Sequence, residues 1–308
     1  MSTTETPEWA GPAHFLAPHE AVRRTDGARH FAGLTYAVAF GYRPLQLDLW
    51  VPDTPAPAPL VVYVHGGGWM MGDRRYLPET LRPGSLFDAF LDAGLAVATI
   101  DYRHALEAAF PAQLHDAKAA VRYLRAHADV LGVDTTRIGA MGESAGGHLA
   151  ALLGLTGHRP DLEGGHGVRG PSSAVDVVVD WYGVADLETM PRQAPPPEVA
   201  ALLPVEMQVP PEDQLLDGLD EQARTDASPV THVTAGAPPF LLVHGTADWL
   251  VPCAQSEQLH AALTAAGVDS RLVPVDGAGH IFLGHDDVDG LITLSVSHLA
   301  DALLEQPA

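Results

Sequence analysis

The sequence has one cysteine, few basic residues and no long apolar stretch, and each shortage excludes a class of protein. A single cysteine, Cys253, cannot form an intrachain disulfide, so the fold does not depend on an oxidising compartment. Lys and Arg number 17 against 39 Asp and Glu, and the formal net charge of −22 disfavours binding to nucleic acid or anionic membranes. No stretch is long and apolar enough to span a membrane.

The remaining composition is that of a globular protein with a large core. Hydrophobic residues make up 46% of the 308 residues, which suits one α/β domain over 1–308 with an N-terminal segment at 1–32. Residues 1–21 have neither a basic start nor an uninterrupted apolar run, so we expect no signal peptide. With the single cysteine, this predicts a cytoplasmic protein.

Apolar runs alternate with helical patterns along most of the chain. Residues 34–39 and 44–51 predict an antiparallel hairpin, and apolar spacings of three and four over 111–128 predict an amphipathic helix. Continuous apolar runs typical of strands buried on both faces follow at 60–64, 95–100, 138–141, 175–181, 240–243 and 271–275. The pattern predicts a mostly parallel central sheet with helices on both faces.

Residues 187–227 interrupt this alternation. The segment is rich in proline and contains only short helical patterns. Long excursions inside a compact domain are usually functional, which makes this insertion a candidate lid. A surface decoration with no role at the site is the alternative reading.

Gly142-Glu143-Ser144-Ala145-Gly146 fits the pattern Gly-x-Ser-x-Gly and has the context that gives the pattern a mechanical meaning. It directly follows the strand predicted at 138–141 and precedes a helix-prone stretch at 148–155. A sharp strand-to-helix turn would expose the hydroxyl of Ser144 as a nucleophile. The amide of Ala145, at the start of the helix, is then a candidate donor to an oxyanion.

His65-Gly66-Gly67-Gly68 follows the strand predicted at 60–64. Backbone without side chains can approach a carbonyl oxygen closely and point amide hydrogens at it. Gly67 and Gly68 are therefore candidate oxyanion donors, and Gly66 remains open as a further donor.

A serine nucleophile needs a histidine base and a carboxylate that orients it. Asp248 follows the strand predicted at 240–243, and His280 follows the one at 271–275, so both belong to loops at the edge of the sheet that carries Ser144. His285 remains a rival for the base, and Asp276 and Asp186 remain rivals for the acid.

Six motifs together resemble the hormone-sensitive-lipase-like and feruloyl-esterase-like bacterial esterases: HGGGW (65–69), DYR (101–103), FPAQLHDAKAAVRYL (110–124), GESAGG (142–147), HGTADWLVP (244–252) and GAGH (277–280). The resemblance implies an α/β-hydrolase fold, a triad of Ser144, Asp248 and His280, and an oxyanion hole at Gly67, Gly68 and Ala145. The chain departs from the lipase-like pattern after DYR and at Glu143, where that branch often has aspartate.

The sequence thus predicts a serine carboxylic ester hydrolase that acts on short- to medium-chain acyl esters through an acyl-enzyme, without a cofactor. Alternatives are an arylformamidase-like amide hydrolase and a non-catalytic small-molecule binder. Related esterases form dimers, so a homodimer is expected. We expect no metal, because His158, Asp161, Glu163 and His166 lack tight ligand spacing. Candidate substrate-binding residues are Trp69, Tyr182 and Trp249.

Overall fold

The computed structural model describes residues 14–38, 41, 43–190 and 210–304. These residues contain a nine-stranded sheet in the order β1-β2-β3-β5-β4-β6-β7-β8-β9. The strands are β1 (Val22–Arg23), β2 (Arg29–Ala37), β3 (Leu45–Val51), β4 (Ala58–Val64), β5 (Ala96–Ile100), β6 (Val133–Glu143), β7 (Val177–Trp181), β8 (Phe240–Gly245) and β9 (Ser270–Val275).

The first three strands are antiparallel and the rest of the sheet is parallel. β2 pairs with β3 as an antiparallel hairpin, which confirms the hairpin predicted at 34–39 and 44–51. β3 joins the sheet by antiparallel pairing with β5, and β5, β4, β6, β7, β8 and β9 then run parallel. The N-terminal segment predicted at 1–32 contributes β1 and the start of β2.

β4, in the middle of the parallel sheet, is apolar and buried at every position because both of its faces are covered. On β4, Leu60, Val62 and Val64 belong to the hydrophobic cluster on one face of the sheet, while Val61 and Tyr63 belong to the cluster on the other. Alternate residues of a strand point to opposite faces, so a strand between two helical layers must be apolar at every position. The prediction that 271–275 is buried on both faces is wrong, because β9 is the edge strand and most of its residues are partly or fully exposed.

The helices of the described residues lie on both faces of the sheet, as predicted. Leu114 in α2 (Ala112–Ala126), Leu149 in α4 (Ala145–Leu155) and Leu259 in α7 (Ala254–Ala265) belong to one cluster. Phe90 in α1 (Ser85–Asp92) and Ile292 in α8 (Val288–Leu304) belong to the other. Among the described residues, none of the helices combines the length and the apolarity that crossing a membrane requires. The helices are α1 (Ser85–Asp92), α2 (Ala112–Ala126), α3 (Ala128–Leu131), α4 (Ala145–Leu155), α5 (Pro211–Leu215), α6 (Glu221–Asp226), α7 (Ala254–Ala265) and α8 (Val288–Leu304).

The insertion at 187–227 lies between β7 and β8, and its central residues 191–209 lie outside the described residues. Its second half returns to the core through α5, where the carbonyl of Leu215 accepts a hydrogen bond from the amide of Phe110 at 3.0 Å. A Cβ added at Gly68 would lie 3.3 Å from ring carbons of Pro211. The insertion therefore comes close to the glycine loop, while its action as a lid stays a prediction.

Candidate active site

Ser144 stands on the sharp turn between β6 and α4, with φ 54° and ψ −120°. This conformation is strained for a residue with a side chain, and such strain persists only where the surroundings hold it. The amide of Ser144 donates to the carbonyl of Trp181 at 2.8 Å, which ties the turn to β7. A Cβ on Gly146 would collide with the carbonyl oxygen of Val64, so the close packing of the turn requires glycine there.

The side chain of His280 bridges Ser144 and Asp248. Its Nε2 lies 3.0 Å from Ser144 Oγ, and its Nδ1 lies 2.7 Å from Asp248 Oδ2. Because an ionised carboxylate can only accept hydrogen bonds, Nδ1 carries the proton that is donated to Asp248. Nε2 is then left as the acceptor for the hydroxyl proton of Ser144.

Asp248 is a buried carboxylate that receives several hydrogen bonds. Its Oδ1 accepts the amides of Leu250 and Val251, both at 2.9 Å, and its Oδ2 faces His280 and, at 3.4 Å, the Nε2 of His244. Burial raises the pKa of Asp248, but hydrogen bonds with His244 and His280 outweigh burial and hold this pKa at about 2. Asp248 is therefore ionised at neutral pH.

The rival acids lie elsewhere or have other partners. Asp276 is exposed, and its carboxylate accepts the hydroxyl of Thr246 at 3.4 Å. The Oδ2 of Asp186 accepts from Thr189 and Gln258. Neither has a hydrogen bond to His280 among the described residues, so the structure brings Asp248 and not its rivals to the histidine.

The rival base, His285, has its amide bonded to the carbonyl of Phe282. Within the described ranges, the histidine that is hydrogen-bonded to Ser144 Oγ is His280.

The glycine loop turns through the left-handed region beside the elbow, with φ 96° at Gly67 and φ 59° at Gly68. In the part of the chain that the structure describes, the amides of Gly67, Gly68 and Ala145 have no hydrogen-bond acceptor. The amide of Gly66 instead donates to Glu143 Oε1 at 2.5 Å. Three amides thus remain for an oxyanion, and Gly66, which the sequence left open as a donor, is already engaged.

Trp69 is 3% exposed, and its indole Nε1 donates to His148 Nδ1 at 3.2 Å. His148 Nε2 in turn donates to the carbonyl of Ala227 at 2.6 Å. Burial lowers the pKa of His148 to about 4, so the ring is neutral and can accept and donate in this way. This geometry favours a supporting role for Trp69 over the predicted contact with substrate.

Tyr182 is 1% exposed and packs its ring edge against His280, with ring centroids 5.0 Å apart. Trp249 is partly exposed on the loop that carries Asp248. Of the three predicted substrate-binding residues, Trp249 therefore has the accessibility that contact with a substrate requires.

Sequence reasoning missed two side chains that support the site. Glu143 had been read as a departure in a motif, yet its carboxyl holds Gly66 in the glycine loop. His244, at the end of β8, is not among the residues proposed from the sequence, yet its Nε2 lies 3.4 Å from Asp248 Oδ2. The sequence does contain a signal for Glu143: an ionisable residue lies where a buried strand runs into the turn that carries Ser144. Burying such a side chain is costly unless it has a partner.

Among the described residues, no group of three or more His, Cys, Asp or Glu could hold a metal ion. Glu163, from the cluster weighed in the sequence, pairs instead with the buried side chains of Lys118 and Arg122.

The family model named BD-FAE matches residues 47–263, which is more than half of the chain. The chain belongs to the BD-FAE family. It is 34% identical to esterase LipC of Mycobacterium tuberculosis over 87% of this chain and 64% of LipC. These findings confirm the recognition of an esterase-type α/β-hydrolase.

Two solved structures share the BD-FAE chain's fold at substantial identity. A carbohydrate esterase from gut microbiota, in truncated form, aligns with a TM-score of 0.73 and 28% identity, covering 92% of this chain and 99% of that one. Esterase Est2 of Thermogutta terrifontis aligns with a TM-score of 0.67 and 30% identity, covering 88% and 90%. By contrast, the chain spans 64%, 55% and 56% of the lengths of LipC, LipM and LipQ.

Proposed function

We propose that the chain is a serine carboxylesterase with Ser144 as nucleophile, His280 as general base and Asp248 as the group that orients the base. The observation that carries this proposal is the continuous hydrogen-bonded series from Ser144 Oγ through His280 to Asp248, at 3.0 and 2.7 Å. A complete series of nucleophile, base and orienting acid argues for chemistry over binding alone.

In the proposed reaction, His280 takes the hydroxyl proton as Ser144 Oγ attacks the ester carbonyl. The negative charge that develops on the carbonyl oxygen is stabilised by the amides of Gly67, Gly68 and Ala145. The tetrahedral intermediate then expels the alcohol, which takes the proton from His280. Water activated by His280 hydrolyses the acyl-enzyme in the same way. No cofactor takes part in these steps.

We propose short- to medium-chain acyl esters as substrates. Solved structures of Est2 carry propionate or butyrate, and Est2 is 29 to 30% identical to this chain. Pro211 lies close to Gly68, which also limits the space beside the glycine loop.

The test is kcat/KM on p-nitrophenyl acetate, butyrate, octanoate and laurate for the wild type and Ser144→Ala. We expect turnover to be highest at acetate or butyrate and to fall by at least about 10³-fold in the variant, since the triad acts as a unit. Turnover that survives in Ser144→Ala, or that peaks at laurate, would contradict the nucleophile or the chain length, respectively.

A carbohydrate ester is the second candidate substrate, because the gut carbohydrate esterase is matched over 99% of its length. An acetylated sugar belongs in the same assay, and N-formylkynurenine tests the amide alternative. We also propose a cytoplasmic location, supported by the single cysteine, and a homodimer, which the molar mass in solution would test.

A further inference from the structure

The carboxyl group of Glu143 lies against the main chain of the glycine loop at Gly66, immediately before Gly67 and Gly68, the proposed oxyanion donors. Its Oε1 accepts the amide of Gly66 at 2.5 Å. A Cβ added at Gly66 would collide with this carboxyl group, so the two groups are in direct contact. Gly67 and Gly68 are the next two residues after Gly66, so a charge on Glu143 would lie close to their amides.

The surroundings of Glu143 provide no opposite charge. The side chain is 1% exposed, and none of the ion pairs among the described residues includes it. The titratable groups that face Glu143 are four phenols: Tyr63 on β4, Tyr76 in the segment after β4, Tyr102 after β5 and Tyr182 after β7. Burial raises the pKa of each phenol, so all four are neutral around pH 7.

These conditions keep Glu143 protonated near neutral pH. Burial raises the pKa of Glu143 to about 8, against a smaller lowering by the Gly66 hydrogen bond. A neutral carboxylic acid still accepts the Gly66 amide through its carbonyl oxygen. Its ionisation would put an unpaired negative charge beside the oxyanion site.

We propose that Glu143 is a positioning residue that holds the oxyanion loop as a neutral acid, and that its ionisation slows ester hydrolysis. This inference rests on the proposed function. The substrate ester is uncharged, whereas the transition state carries developing negative charge on the carbonyl oxygen. A carboxylate at Glu143 therefore repels the transition state more than the bound ester, and kcat falls while KM stays constant.

The test compares kcat and KM on p-nitrophenyl acetate at pH 7.0 and pH 9.5 for wild type and Glu143→Gln. The amide of glutamine has the same shape, accepts the Gly66 amide and cannot ionise. We expect the wild-type kcat to fall roughly tenfold between the two pH values, because of the charge beside the oxyanion, and the Glu143→Gln value to stay level. The pH ratio within each protein removes any difference in basal activity.

Two further variants provide controls. Ser144→Ala measures the spontaneous hydrolysis of the ester at each pH. Asp180→Asn removes a second buried acid, on β7, whose pKa burial raises to about 7 and whose Oδ1 accepts the Gly183 amide. Since Asp180 does not contact the glycine loop in the described residues, its variant should keep the wild-type decline. A level profile in Asp180→Asn would overturn the inference.

A measurement on the wild type alone covers the case in which Glu143→Gln does not fold. A trifluoromethyl ketone accepts the Ser144 oxygen at its carbonyl carbon and becomes an oxyanion, while His280 takes the hydroxyl proton. Its Ki should rise roughly tenfold from pH 7.0 to pH 9.5 while the KM of the ester does not. A Ki that stays constant would overturn the inference.

The outcomes separate this inference from the proposed function. Turnover that depends on Ser144 but declines equally in wild type and Glu143→Gln would overturn the role of Glu143 alone. Full turnover in Ser144→Ala would overturn the proposed function, and the role of Glu143 with it.

Discussion

Two buried carboxyl groups near Ser144 have pKa values that are shifted in opposite directions. Asp248 receives the amides of Leu250 and Val251 as well as His280, and its pKa is lowered to about 2. Glu143 receives the Gly66 amide, and burial raises its pKa to about 8. Both carboxyl groups are almost inaccessible to solvent. The comparison teaches that burial keeps an acid neutral unless enough hydrogen-bond donors surround its carboxylate.

The two charge states suit the two sides of the candidate site. In the proposed reaction, a fixed negative charge at Asp248 would stabilise the imidazolium that His280 becomes when it takes the serine proton. On the other side, the amides of Gly67 and Gly68 are the proposed donors to an oxyanion, and a second negative charge there would oppose it. The hydrogen bonds on one side of the site therefore involve an ionised carboxylate, and those on the other side involve a neutral acid.

The largest effect should follow from removing the charge on the acid–base side. Asp248→Asn replaces the acceptor of the His280 Nδ1 proton with an amide that can turn its donor toward the ring. This favours the wrong tautomer, so we expect kcat to fall by about 10⁴-fold with little change in KM. Steady-state kinetics on p-nitrophenyl butyrate measures this loss.

Asp276→Asn is the matched control, because Asp276 is an exposed aspartate in the loop that leads to His280. Its kcat should stay close to that of the wild type. A larger loss in Asp276→Asn than in Asp248→Asn would mean that the acid has been assigned to the wrong residue.

The next effect concerns stability and the neutral side of the site. Burial raises the pKa of Glu143 from 4.5 to about 8 in the folded chain. Between pH 5 and pH 8, Glu143 is therefore mostly ionised in the unfolded chain and mostly protonated in the folded chain until the pH approaches 8. The unfolded state then binds fewer protons, so the free energy of unfolding falls as pH rises. At about 1.4 kcal/mol per pKa unit, this loss is on the order of 3 kcal/mol.

Glu143→Gln should escape this loss. Urea unfolding at pH 5 and pH 8 should give a wild type that weakens relative to the variant by roughly 3 kcal/mol over that interval. Asp180 adds a loss of the same sign, but it is common to both proteins. If the two proteins weakened in parallel, Glu143 would be charged at neutral pH and the comparison with Asp248 would be broken.

Much of this fold could be predicted because buried parallel strands are continuous apolar runs. The run predicted at 60–64 lies inside β4 (Ala58–Val64), and the helix predicted at 111–128 corresponds to α2 (Ala112–Ala126). β6 begins at Val133, five residues before the start predicted at 138. The prediction missed this part of the strand because residues 134–137 are polar. The positions of Ser144, Asp248 and His280 could therefore be predicted, since each lies just after a strand that the sequence marks as an apolar run.

The supports of the site could not be predicted in the same way, because they depend on contacts between distant parts of the chain. Glu143 meets Gly66 across 77 positions, and Trp69 meets His148 across 79. No spacing along the sequence indicates whether a buried carboxyl group faces one hydrogen-bond donor, as Glu143 does, or two amides and two histidine rings, as Asp248 does. Burial and partners of this kind come from the packed sheet, and they set the charge.

The smallest effect tests whether neutral hydrogen bonds on the oxyanion side matter less than ionised ones. Trp69→Phe keeps a ring but removes the indole N–H that donates to His148 Nδ1. A single neutral hydrogen bond contributes about 1 kcal/mol, so we expect kcat to fall by about two- to fivefold as the glycine loop loosens, with KM nearly constant. Trp50→Phe is the control, because Trp50 stacks on His30 and Phe87, away from the loop. A loss in Trp69→Phe as large as that in Asp248→Asn would mean that the oxyanion side depends on this contact as strictly as the acid–base side depends on its charge.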